Sequence, residues 1–138
     1  MTTGVSTFDQ SLNTTLEWLR DLQEEMGFDD EQRAFRVMRA VLHALRDRLT
    51  IEETADFAAQ LPMLLQGVYY HGWTPRGKPE KIRSREEFLD RVAENLMREH
   101  DPEEATRAVF KVLERRMRDG EIEDIKRILP GAIRELWP

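Results

Sequence analysis

The sequence predicts an all-helical fold, and three features carry that expectation. Apolar residues recur at steps of three and four along most of the chain, and no alternating run is long enough for a sheet. Helix-start signatures, a Ser or Thr followed three positions later by Glu or Gln, stand at the heads of several of these runs. Residues 39–62 return as residues 107–130 at a constant offset of 68, with nine identities in 24 aligned positions. The identities are Arg39/Arg107, Ala40/Ala108, Val41/Val109, Leu45/Leu113, Arg48/Arg116, Glu53/Glu121, Asp56/Asp124, Leu61/Leu129 and Pro62/Pro130. That is an internal repeat. Two copies are too few for an open solenoid, in which neighbours cover each unit on both sides. The halves are therefore expected to pack face to face about a pseudo-twofold axis, as one compact bundle of six to eight helices.

Taken in order, the first helix is expected from Thr7, where Thr7 and Gln10 have capping-box spacing. Phe8, Leu12, Leu16, Leu19 and Gln23 share one face, which Trp18, Leu22 and Met26 widen. Gly27 suits the end of that helix, and Asp29 or Asp30 the cap of the next. The second helix carries Phe35, Met38, Val41, Leu42, Leu45 and Leu49 as a wide apolar stripe. Thr50 and Glu53 open a short helix through Phe57, Ala58 and Leu61. Pro62 lacks a backbone N–H, so it marks a joint and starts a further short helix with Leu64, Leu65, Val68 and Tyr69.

Residues 71–84, with two Gly and two Pro, read as the linker between repeat one (8–73) and repeat two (85–138) of a single domain. Ser84 and Glu87 restart helical structure, and Phe88, Val92, Leu96 and Met97 echo Phe8, Leu12 and Leu16 at an offset of 80. The change from 80 to 68 places 12 extra residues in the first copy, near residues 19–28. Asp101, Pro102 and the following acids form a strong helix start, and Asp119-Gly120 is expected to end that helix. Ile122, Ile125, Ile128 and Leu129 form the short third element, Pro130 repeats the joint, and Ile133, Leu136 and Trp137 close the chain.

Composition narrows the function classes. A chain of 138 residues is one domain long, and 35 % charged with 40 % apolar residues is a globular rather than a disordered profile. No run approaches the roughly 18 apolar residues of a membrane span, and the first ten residues lack the basic start and apolar core of a signal peptide. With no cysteine there is neither disulfide nor thiol chemistry, which fits a cytoplasmic location. Residues 1–70 carry 12 acids and 6 bases, and residues 71–138 carry 15 of each, for a net charge of -6. Nucleic acid is disfavoured as a general partner, because phosphate neutralisation needs a basic face.

Catalytic signatures are absent. His43, His71 and His100 form no pair at one-turn spacing, and no Glu-x-x-His occurs, so no metal centre, cofactor or catalytic residue is expected. Two groups of residues stand out instead. Tyr70, His71 and Trp73 precede Arg76, Lys78 and Lys81 in the linker, and such a mixture suits contact with a protein partner. Arg39, Arg48, Arg107 and Arg116 hold equivalent places in the repeat, either as structural pairs with acids or as symmetric anion contacts.

The segments Arg39-Ala40-Val41-Leu42, Leu45-Arg46-Asp47-Arg48-Leu49-Thr50, Gln60-Leu61-Pro62 and Tyr69-Tyr70-His71-Gly72-Trp73 resemble the bacterial domain-of-unknown-function family 2267. Leu113, Gly120-Glu121-Ile122, Leu129-Pro130 and Leu136-Trp137 fit the same pattern a second time, as two tandem copies. The resemblance implies a small helical bacterial protein and supplies no catalytic residues. The expectation is a non-enzymatic interaction or regulatory module with a protein partner or a second copy of itself. A small-ligand or anion-binding bundle using the repeated arginines is the alternative.

Overall fold

The computed structural model describes residues 3–96, 98 and 100–138. Among them are eight α-helices and no strand: α1 (Ser6–Met26), α2 (Glu31–Arg48), α3 (Ile51–Ala58), α4 (Met63–Tyr70), α5 (Arg85–Glu94), α6 (Pro102–Arg116), α7 (Asp119–Ile128) and α8 (Gly131–Arg134). None is long and apolar enough to cross a membrane.

Local chemistry sets most of the boundaries. Asp30 caps α2 by accepting the N–H groups of Gln32 and Arg33, and Asp101 caps α6 with Pro102 in its first turn. Thr50/Glu53 and Ser84/Glu87 both form complete reciprocal capping boxes, opening α3 and α5. Gly27 ends α1 with φ +76° and donates its N–H to the Gln23 carbonyl, a conformation that costs a glycine little.

Two starts differ from expectation. Thr7 lies inside α1, whose cap is Val5, and it makes no capping bond; Asp9 instead accepts the N–H of Thr3 at 2.7 Å. Asp119-Gly120 does not end α6. That helix closes at Met117, Arg118 is extended, and the pair forms the first turn of α7.

The halves follow one plan. α2 and α6 end at Arg48 and Arg116, α3 and α7 begin at Ile51 and Asp119, and α4 and α8 begin at Met63 and Gly131, each pair 68 apart. Pro62 and Pro130 precede α4 and α8 with nearly the same backbone, φ -56° and -53°. α1 packs on α2 and α6, α5 packs on α6 and α2, while α2 meets α6 and α3 meets α7. Exchanging the halves leaves that pattern unchanged, as face-to-face packing requires. Val41, Leu45, Val109 and Leu113 are buried in the shared core. Tyr69 closes the first half against Phe57, ring centres 5.3 Å apart, and Trp137 closes the second by stacking on Phe110 at 3.9 Å.

The first helix of each half breaks the expected register. Phe8 is 57 % exposed whereas Phe88 is fully buried, so the two are not equivalent. The burial patterns that match are Trp18, Leu19 and Leu22 with Phe88, Leu89 and Val92, an offset of 70, and Met26 with Leu96 continues it. Most of the extra length of the first half therefore lies at the front of α1, before Thr15, and the fall in offset from 70 to 68 leaves only two residues of it after Met26. α1 is 21 residues long against 10 for α5. Leu96 falls just beyond α5, and Met97 lies outside the described residues.

This register has a direct consequence. Phe88→Ala should cost about 3–5 kcal/mol of folding stability by chemical denaturation, as for other buried aromatics. Phe8→Ala should stay within about 0.5 kcal/mol, as for exposed positions. Equal losses at the two positions would restore the offset of 80.

Candidate functional site

The segment joining the halves is held down on the C-terminal turn of α2. Arg46 is 6 % exposed, and its Nη1 donates to the carbonyls of Tyr69 (2.6 Å) and His71 (2.7 Å), the last acceptors of α4. One turn earlier, His43 Nε2–H donates to the Val68 carbonyl at 2.7 Å, and burial holds this imidazole below its ordinary pKa. Arg48 Nε donates to the Ile82 carbonyl at 2.7 Å, and the Asp47 carbonyl accepts the N–H of Glu80 at 2.8 Å. Three successive residues of α2 thus bind both ends of the connection.

Charge pairs complete this clamp. Asp47 is nearly buried and takes Arg91 Nη1 at 3.1 Å, Lys78 Nζ at 3.4 Å and Arg46 Nε at 3.3 Å. Glu80 takes Lys78 Nζ at 2.9 Å and a short hydrogen bond from Arg91. The hydrogen bond from Arg91 lowers the Glu80 pKa, with Lys78 adding to it against a smaller opposing effect of burial. Lys78, expected among the residues for contact with a protein partner, has a side chain only 7 % exposed and occupied by two carboxylates.

The other linker residues divide between core edge and surface. Tyr69, Tyr70 and Trp73 form a chain of ring contacts at 5.4 and 5.8 Å, leading from the core to a half-buried Trp73. Tyr70, His71, Arg76 and Lys81 are exposed, and neither Arg76 nor Lys81 meets an acid among the described residues. Gly72 turns the chain at φ +81° beside Arg46.

The four repeated arginines do not converge. Arg39 lies over the Phe35 ring at 5.1 Å, and Arg48 serves the linker carbonyl. Arg107 pairs with Glu103 at 3.0 Å and donates to the Glu135 carbonyl, while Arg116 pairs with Asp21 at 2.8 Å and Glu17 at 3.8 Å. Equivalent positions therefore hold unlike partners.

A second constellation escaped sequence reading, although its members were among the repeat identities. Glu53, Asp56, Glu121 and Asp124 line one recess of about 310 Å³ where α3 meets α7. Burial raises the Glu121 pKa, and Asp56 and Asp124 raise it further. Arg127 supplies local compensation through Asp124 at 3.1 Å. Among the described residues no group of His, Asp and Glu is placed to hold a metal ion.

Arg46→Ala would leave two carbonyls at the end of α4 without a donor and should cost about 2–4 kcal/mol in urea denaturation, in the range for hydrogen bonds to a charged group. The two shifted carboxylates have opposite signs. Glu80 has a folded-state pKa below its unfolded value, so its contribution is complete above the unfolded value and disappears as pH falls through the folded one. Glu80→Gln should flatten the acid limb of the stability curve. Glu121 favours the folded state only when protonated, and that contribution disappears as pH rises through its folded value. Glu121→Gln should be more stable than wild type at pH 7 and lose that advantage below the ordinary carboxyl range of about 4.3.

No curated protein matches the sequence at a significant level. The family described as "Uncharacterized conserved protein (DUF2267)" matches residues 15–136 in a single span that includes both halves and the clamp between them. The match begins where the register of α1 and α5 begins to agree, and it leaves out the front of α1. The chain belongs to the DUF2267 family.

Proposed function

We propose that this protein is a non-enzymatic protein-interaction module of the bacterial cytoplasm, built from two copies of one helical unit, with the outer face of the connecting segment as its contact surface. One observation carries the reading. The segment is clamped by Arg46, Asp47 and Arg48, so Tyr70, His71, Arg76 and Lys81 project from a fixed backbone. A surface ordered before contact loses little conformational freedom on binding, which improves affinity without added area. Tyrosine and arginine, here Tyr70 and Arg76, are residue types enriched at interface centres. Lys78 and Trp73 leave the proposed contact set, since one is bound by two carboxylates and the other is half-buried. An anion-binding role for the repeated arginines has less support, because each serves a different local partner. The net charge of -6 weighs against nucleic acid.

Quantitative crosslinking in lysate tests this. A Tyr70→Ala, Arg76→Ala, Lys81→Ala variant should keep the wild-type melting temperature and lose at least 90 % of the crosslinked partner, about a tenfold change or 1.4 kcal/mol. Arg46→Ala leaves all three side chains in place but frees the backbone, and should weaken capture as well. Identical partner sets for wild type and the triple variant would remove this surface from consideration.

A further inference from the structure

The front of α1 and the first turn of α4 leave an apolar face that the bundle does not use. Val5, Phe8, Met63 and Leu64 are 45 %, 57 %, 57 % and 45 % exposed, and these four are larger and more apolar than a solvated turn requires. In the second half the positions equivalent to Met63 and Leu64 are Gly131 and Ala132, and α5 has no counterpart to the front of α1. Closing a half therefore needs neither feature. Ser11 fixes the two pieces together by accepting the Leu64 N–H at 2.8 Å. Beside them runs an open groove of about 400 Å³, with Leu12, Leu16 and Leu19 of α1, Phe35 of α2, and Leu64 and Val68 of α4 among its walls.

Charge decides what fits it. Glu31 lines the groove, and Glu24 and Asp29 stand exposed in the adjoining recess at the same α1–α2 turn, which Arg20 also lines. None of the three has a basic partner among the described residues, whereas Glu17, Asp21 and Glu25 of α1 are paired with Lys111, Arg115 and Arg116 of α6. This first half as a whole carries the net charge of -6. Like charge disfavours a second copy of the same face and an anionic membrane alike. We infer that the groove is a docking site for an amphipathic helix of a partner protein, its apolar stripe laid between α1 and α4 and a lysine- or arginine-bearing end meeting Glu24, Asp29 and Glu31. This is the helix-in-groove mode of recognition, read as anchors at steps of three and four. It uses a different face from the connecting segment and does not depend on it.

The test uses the full chain and two synthetic 18-residue helices with the same leucine stripe, one with lysine and one with glutamate on the polar side. The Leu/Lys helix should bind saturably, shift the backbone amides of Leu12, Leu16, Leu64 and Val68 in heteronuclear spectra, and bind at least tenfold better than the Leu/Glu helix. Phe8→Ser with Leu64→Ser, both at exposed positions, should weaken it at least tenfold. Glu24→Lys with Glu31→Lys should reverse the preference between the two peptides. Equal binding of the Leu/Lys helix to wild type and the serine variant would overturn the proposal, as would binding of neither peptide. It would also be overturned if the chain alone dimerises in sedimentation and the serine variant does not, or if vesicles of phosphatidylcholine and phosphatidylglycerol shift the same amides.

Discussion

The structure depends on how the last turn of α2 is occupied. A helix that ends in the middle of a bundle leaves carbonyls and a partial negative charge to be answered, and so does the end of α4 beside it. Arg46 answers the second need with one guanidinium shared between two carbonyls, and its burial is offset by the Asp47 carboxyl 3.3 Å from its Nε. Asp47 in turn draws in Arg91 from α5 and Lys78 from the connecting segment. Burying any of these charges alone would be costly, and each is tolerated because the others are present. This shared site ties α2, α4 and α5 together beside the apolar core.

The same site explains why a repeated sequence yields an asymmetric molecule. At the positions equivalent to Arg46 and Asp47 the second half has Glu114 and Arg115, and Arg115 reaches Glu25 and Asp21 on α1. The equivalent helix end of the second half secures α1 instead, through Arg115 and Arg116. Arg48 and Arg116 differ for that reason: one receives the linker, the other the long first helix. A residue retained at both positions needs the reach and charge of arginine, not the same partner.

Most of the fold was legible because its signals are local. Asp30, Thr50, Ser84, Asp101-Pro102, Gly27 and the two prolines each act within four residues, and each does what its chemistry indicates. Thr7 and Gly120 misled because a polar pair at capping spacing, or a glycine, also fits inside a first turn when burial holds the rest of the helix. The register of α1 was ambiguous for a geometric reason. Phe8, Leu12 and Leu16, and again Trp18, Leu22 and Met26, have the same four-residue steps as Phe88, Val92 and Leu96, so offsets of 80 and 70 look alike in sequence. The clamp was not legible, since Lys78 finds Asp47 across 31 residues of chain and nothing near Lys78 announces it. The apolar face escaped for the opposite reason: Phe8 and Leu12 have a core pattern, and only the packing shows that no core reaches them.

The acidic recess between α3 and α7 has a wider meaning. On an axis relating two halves, equivalent elements meet, and the acids Glu53, Asp56, Glu121 and Asp124, written twice in the sequence, share one recess there. Glu53 escapes part of this by serving the α3 cap, and Asp124 by holding Arg127, which leaves Glu121 with the strain of the arrangement. Sites on such an axis are where two like halves gain from differing, because changing one acid relieves its neighbours. Far from the axis, equivalent positions drift without reference to each other, and there the two halves are free to become different surfaces.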